Sequence, residues 1–114
     1  MKILIIGFGY VGKATNILAN SHDEFMIFDK IPELCSHPHL SFNDIVKLSD
    51  LIFICLPTPL DIHGMLNTDI IYEMIKSINH QYIIIRSTVS VNFCIASVFL
   101  SPFSPIIACT NAFS

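Results

Sequence analysis

Residues Lys2 to Ile6 form an unbroken apolar run after the lysine and lead directly into Gly7-Phe8-Gly9-Tyr10-Val11-Gly12. A G-x-G-x-x-G string alone arises often by chance. A buried-strand run before it and a helix-compatible segment after it make it a dinucleotide-binding fingerprint. Each glycine then has a task. Gly7 permits the tight turn out of the strand, Gly9 lets backbone approach a pyrophosphate with no Cβ in the way, and Gly12 lets the new helix pack close to the sheet. Free N–H groups in the first turn of that helix face the phosphates.

The fingerprint's second half is an acid at the end of the next strand. Phe25-Met-Ile-Phe28-Asp29 supplies it, seventeen residues beyond Gly12. A carboxylate there accepts hydrogen bonds from ribose hydroxyls and repels the extra phosphate of NADP, so Asp29 favours NAD. Lys30, which can tolerate a phosphate, only softens that preference. The competing reading is an α/β protein whose glycines serve a tight strand-to-helix turn and nothing more. Strand, glycines, helix and acid all agree, which favours the cofactor site.

At 114 residues the chain is one small domain, well short of a two-domain dehydrogenase. With 53% hydrophobic and 13% charged residues it suits a parallel sheet covered on both faces. The net charge of -3 comes with no basic stripe, which argues against nucleic acid or an anionic membrane surface as partner. Cys35, Cys55, Cys94 and Cys109 show no C-x-x-C spacing, and Cys55 reads as a small buried hydrophobe. A reduced, cytoplasmic setting is expected. The N-terminus lacks the long apolar region and cleavage site of a signal peptide.

Apolar spacing predicts a helix from Tyr10 to about Asn20, with Val11, Ala14, Ile17 and Leu18 facing the sheet. A strand over Phe25 to Phe28 follows, and then an irregular stretch or one helical turn between Ile31 and Ser41. Asn43 or Asp44 caps a short helix through Leu48, before the apolar strand Leu51 to Leu56. Pro57-Thr58-Pro59 ends that strand. From Thr68 or Asp69, Ile70, Ile71, Met74, Ile75 and Ile78 make one apolar helical stripe. Tyr82 to Arg86 is the next strand, with Ser87-Thr88 at its end. The fold class is α/β, a Rossmann-type doubly wound parallel sheet, expected to be incomplete at the C-terminus. Ligands on such sheets sit at the carboxyl ends of strands, where the glycine turn, Asp29, Pro57 to Pro59 and Ser87-Thr88 all fall.

With these segments in place, the chain resembles the N-terminal NAD-binding domain of the UDP-glucose and GDP-mannose dehydrogenase family. The marks are Gly-Phe-Gly-Tyr-Val-Gly at 7 to 12, Asp29, Ser49-Asp50 through Pro57-Thr58-Pro59 with Asp69 beyond, and Arg86-Ser87-Thr88-Val89. The resemblance covers about residues 1 to 90. It implies oxidation of a nucleotide sugar's C6 alcohol to a carboxylate with NAD, through a thioester on a catalytic cysteine. By position it implies that Gly7 to Gly12 cradle the pyrophosphate, Asp29 holds the ribose, Thr58 lines the cofactor cleft and Thr88 stands near the nicotinamide as an auxiliary group. The family's nucleophilic cysteine and its nucleotide-sugar groups belong to a later domain. Cys94 and Cys109 match neither the cysteine's context nor the charged surroundings a reactive thiolate needs. The family's Pro-Glu pair has only Ser101-Pro102-Phe103 as an echo. A nucleotide sugar is therefore a partner only if a substrate domain is supplied elsewhere; the oligomeric state is not legible.

No charged residue occurs from Ser87 to Ser114. A truncated or frame-shifted product is the favoured reading, with family sequence lost after Val89 and residues 91 to 114 an apolar tail outside the domain. A native terminal strand near Ala96 to Leu100 is the second. A membrane-associating segment is the third, and serines and prolines suit it poorly to spanning. Cys35, His37 and His39 lie close together, but zinc sites gather ligands from separated elements, so no metal is expected. Asp61 and His63 read as a solvated loop over the cleft in preference to an acid–base pair.

Overall fold

The computed structural model describes the chain except residues 19, 21, 100, 104, 111 and 114, with backbone alone at 112 and 113. In chain order the elements are β1 (Lys2–Ile6), α1 (Tyr10–Asn16), β2 (Glu24–Phe28), α2 (Phe42–Leu48), β3 (Leu51–Ile54), α3 (Asp69–Ser77), β4 (Tyr82–Ile85), β5 (Val89–Ser90), α4 (Val91–Ser97), β6 (Ile106–Cys109) and β7 (Ala112–Phe113). One 3-10 turn, Pro32–Leu34, lies in the irregular stretch after β2.

Five strands form a parallel sheet in the order β2-β1-β3-β4-β6, and β5 pairs with β7 as a separate short ribbon. The order reverses between β1 and β3, so the switch point of this Rossmann-type, doubly wound sheet lies there. Register places Leu4, Met26, Ile52, Ile83 and Ile107 in one cross-strand row, and Ile6, Phe28, Ile54, Ile85 and Cys109 in another on the same face. Ile45 and Val46 of α2, with Ile71 and Ile75 of α3 and Ile78 just beyond it, close over these rows, and Phe93 and Cys94 of α4 pack beside them. This face holds the core.

The opposite face is covered only in part. Among the described residues its one helix is α1, whose Thr15 hydroxyl lies 3.8 Å from the Cys55 thiol. Ile3 and Ile5 under α1 are buried, whereas Leu51, Phe53 and Ile84 remain half-buried and Tyr82 and Ala108 exposed. Helices thus lie on both faces, as expected of a doubly wound sheet, but as one full layer and one partial layer, because the crossovers from β2 onward all place their helices on the core face.

Several boundaries differ from those read in the sequence. Helix α1 stops at Asn16, and Ile17 is 81% exposed, with Leu18 and Ala14 exposed as well. Its buried positions are Gly12 and Thr15, since close packing on β1 selects small side chains over the apolar spacing. The chain then turns toward β2 through Asn20, whose side-chain oxygen accepts the N–H groups of His22 and Asp23. Helix α2 is capped by Ser41, which accepts the Asp44 N–H at 3.1 Å, ahead of Asn43 and Asp44, the expected caps. A histidine unremarked in the sequence, His80, joins the α2–β3 corner to β4. Its Nδ1 accepts the Tyr82 N–H at 2.9 Å, which leaves Nε2 to donate to the Ser49 carbonyl at 2.7 Å.

The last segment is built into the fold. Ser90 caps α4 by accepting the Phe93 N–H, so residues 91 to 97 are helical where a strand near 96 to 100 was one expectation; residue 100 lies outside the described residues. The added strand is β6, parallel to β4. That register sets Cys109 level with Ile85 on the face where α4 lies, and Cys94 and Cys109 form a disulfide with Cα atoms 6.1 Å apart. Only Cys35 and Cys55 are free thiols. The expectation of four unpaired cysteines is corrected, and the argument for a reducing compartment that rested on it falls with it. Among the described residues no helix is long and apolar enough to cross a membrane.

Ile54 sits at the centre of the core face and is wholly buried. Ile54→Ala should lower stability by about 2–5 kcal/mol, read from urea unfolding followed by circular dichroism.

Candidate functional site

The glycine turn is shaped by two crowded positions and one open one. Gly7 has φ of +92°, which side chains rarely adopt, and a Cβ there would stand 2.8 Å from the Cys55 carbonyl oxygen. At Gly12 a Cβ would collide with the Gly7 carbonyl. At Gly9 a Cβ would meet no atom within 4 Å. Packing therefore demands glycine at 7 and 12, while at 9 it leaves open space at the mouth of a cleft.

That cleft has a volume of about 560 Å³ and lies at the carboxyl ends of β1, β2, β3 and β4. Gly7, Phe8, Gly9, Tyr10, Val11, Asp29, Lys30, Thr58 and Thr88 all line it, and Gly12 lies behind the turn as its packing contact. The segments read from the sequence thus converge on one cavity. Tyr10 is 96% exposed, its ring free at the rim.

Asp29 performs structural work as well. One carboxylate oxygen accepts the Phe8 N–H at 2.8 Å, and the other accepts the Ile31 N–H at 2.9 Å. The acid at the end of β2 therefore ties the glycine turn of β1 to its own loop. The Phe8 N–H is consequently committed to Asp29 and is not among the groups offered to a phosphate. An ionised carboxylate has about four acceptor sites, so capacity remains for ribose hydroxyls.

Thr58 and Thr88 are linked directly. The Thr58 hydroxyl donates to the Thr88 carbonyl at 2.7 Å, closing the loop after β3 onto the loop after β4. The Thr88 side chain remains exposed at the cleft. The walls that sequence reasoning missed are apolar: Ile31 and Leu34 after β2, Leu56 after β3, and Ile70 and Met74 of α3. Ile70 and Met74 belong to the stripe assigned to the core, but they flank its buried centre at Ile71 and Ile75. Their place on the stripe's edge is the signal that could have identified them.

Other candidates do not gather here. Asp61 accepts the N–H groups of His63 and Met65 through one side-chain oxygen, holding a turn that does not line the cleft. The His37 ring nitrogen Nδ1 pairs with the Ser36 hydroxyl, and the Cys35 thiol donates to the Asp29 carbonyl at 3.2 Å. Among the described residues no three His, Cys, Asp or Glu side chains come together as a metal site.

Cys55 is buried at the base of the cleft. Burial pushes its thiol pKa up, against smaller opposing effects from the Thr15 hydroxyl and the Arg86 charge. The neutral thiol dominates, and the group is a poor nucleophile.

Among solved structures the chain is similar to a UDP-glucose dehydrogenase from the hyperthermophilic archaeon Pyrobaculum islandicum, with a TM-score of 0.66 and 15% identity, across 95% of this chain. It spans 34% of that protein's length. At such low identity the likeness establishes a shared fold and nothing finer. No protein-family model and no curated protein matches the chain.

Two outcomes follow from the site's geometry. Asp29→Ala removes two charge-assisted bonds to backbone and should lower stability by about 1.5–3 kcal/mol in urea melts with no cofactor present. The raised Cys55 pKa means that the folded state keeps its proton where the unfolded thiol loses it. Its contribution to stability is complete below the ordinary thiol pKa and is lost as pH rises through the folded value. In a Cys35→Ser background, thermal melts should fall with alkaline pH more steeply than in the same background carrying Cys55→Ser.

Proposed function

We propose that this chain is an NAD-binding unit of the nucleotide-sugar dehydrogenase kind. The observation that carries the proposal is Gly9: no packing requires a glycine there, since an added Cβ would meet no atom within 4 Å, yet the residue lines the same cleft as Asp29. A dinucleotide pyrophosphate uses such a space, with the adenosine ribose on Asp29. The apolar walls Ile31, Leu34, Ile70 and Met74 suit the flat faces of an adenine ring, and Thr88, which also lines the cleft, is the residue the family resemblance assigns to the nicotinamide end. When bound, NAD supplies a hydride acceptor. This chain's own residues bind and orient it and exclude water from its ring.

The family resemblance and the similar fold of a UDP-glucose dehydrogenase support oxidation of a nucleotide sugar as the parent activity. The thiols favour a second reading, in which this chain binds the cofactor and a partner chain supplies the substrate groups. Thioester chemistry needs a reactive thiolate. Here Cys55 is buried and held protonated, Cys94 and Cys109 are joined, and Cys35 lies in the loop after β2. NAD is the expected partner in both readings, with no nucleic acid or membrane surface involved. A nucleotide sugar enters only with a substrate domain from elsewhere.

Calorimetric titration with NAD and NADP tests the proposal. NAD should bind at least about tenfold more tightly than NADP, a difference of about 1.4 kcal/mol. Gly9→Val should abolish binding while leaving the free energy of unfolding in urea within about 0.5 kcal/mol of the parent's. No heat with millimolar NAD would sink the idea. NADH release from UDP-glucose should be undetectable with this chain alone; turnover by the isolated chain would reject the non-catalytic reading.

A further inference from the structure

β6 is the last strand of the five-stranded sheet, and among the described residues none pairs with its outer edge. The N–H groups of Ile106 and Thr110 point inward, to the carbonyls of Gln81 at 2.7 Å and Ile85 at 3.0 Å. Peptide groups alternate in direction along a strand, so those of Ile107 and Cys109 point away from the sheet. Such an edge is a template for another extended strand. Soluble proteins commonly blunt it with lysine, inward charge, proline or a bulge. None of these occurs within β6, and its side chains at Ile106 and Ala108 are exposed.

We propose that β6 pairs antiparallel with β6 of a second copy of this chain, about a two-fold axis at Ala108, so that two sheets become one. Charge, register and shape select this occupant. Self-pairing sets a strand against its own sequence, and any charge on it is brought close to itself. Residues 87 to 114 carry none, so β6 meets its copy without repulsion. An axis at Ala108 sets Ile107 of each copy opposite Cys109 of the other, and each such pair exchanges both of its hydrogen bonds. It is the register that pairs both outward residues without calling on positions beyond the strand.

At the axis the two Ala108 residues form a non-hydrogen-bonded pair, whose Cα atoms approach to about 4.5 Å. A small side chain suits that approach. Ile106, 65% exposed, would pack against Ala108 and Thr110 of the other copy. It lies on the partly covered face, which also carries exposed Tyr82 and half-buried Ile84. The second copy thereby extends the sheet edge and shields apolar surface that α1 does not reach.

Sedimentation velocity of the full chain over about two decades of concentration, alongside Ala108→Lys and Ala108→Asp, tests the pairing. Position 108 is exposed, and circular dichroism verifies that both variants fold. The parent should shift from monomer to twice that mass. Each variant should remain monomeric where the parent is dimeric, and an equimolar mixture of the two should recover the dimer. Should Ala108→Lys misfold, Ile106→Lys places a charge beside the axis on another exposed side chain and should produce the same loss. A parent monomeric throughout, single variants that dimerise as the parent does, a mixture that stays monomeric, or open-ended species larger than a dimer would each overturn the proposal.

Discussion

The close approach of Gly12 to the Gly7 carbonyl is the contact on which the rest of the cleft depends. It sets how steeply α1 leaves β1, and so how far that helix lies from the sheet. The same seating of α1 on the sheet brings the Thr15 hydroxyl to the Cys55 thiol. Gly7 answers the same constraint from the other strand, since its positive φ turns the chain beside the Cys55 carbonyl. Both glycines are crowded by backbone, which has no rotamer with which to yield. The turn's shape is therefore fixed by the protein before any ligand arrives.

Preorganisation of this kind changes the meaning of Asp29. In the fingerprint the acid is a ribose ligand; in the fold it is also the clasp between the ends of β1 and β2. Two backbone N–H groups hold the carboxylate in place, so a ribose would meet an acceptor already oriented. Fixing a side chain before binding spares part of its ordering cost at the moment of binding. The Thr58–Thr88 bond does the same between the loops after β3 and β4. The two clasps, one joining the ends of β1 and β2 and the other those of β3 and β4, bracket the switch point.

How much of this was legible depended on whether a residue's role was local. The strands were readable because Ile3 to Ile6, Leu51 to Ile54 and Tyr82 to Ile85 are continuous apolar runs, and the glycine turn was readable because its spacing encodes its geometry. Helix α1 was misjudged. Ala14 within it and Ile17 and Leu18 just beyond its end are exposed, while its buried positions are Gly12 and Thr15, residues no hydrophobic pattern selects. The cap at Ser41 was displaced by a more ordinary competition among neighbouring polar residues. Ile70 and Met74 were legible as apolar but not as cleft walls, because the angle at which α3 crosses the sheet decides which flank of its stripe is covered.

Residues 87 to 114 were the least legible, and the reason lies in long-range pairing. A short apolar segment fits a helix, a strand or a surface tail equally well until its partners are known. Here β4 supplies the template for β6, and that pairing brings Cys109 beneath α4. The disulfide closes a loop of modest length, so its effect falls on the unfolded chain as well as on the strand it secures. Burial nevertheless accounts for only part of the segment's composition. Phe93, Cys94, Ile107 and Cys109 pack toward the core, whereas Ile95 and Phe99 are largely exposed. The demands of the folded monomer thus explain why this segment contains apolar residues but not why it contains no charge. Neutrality along β6 does have a physical consequence at the sheet edge, because an edge without charge offers no electrostatic barrier to the approach of another strand.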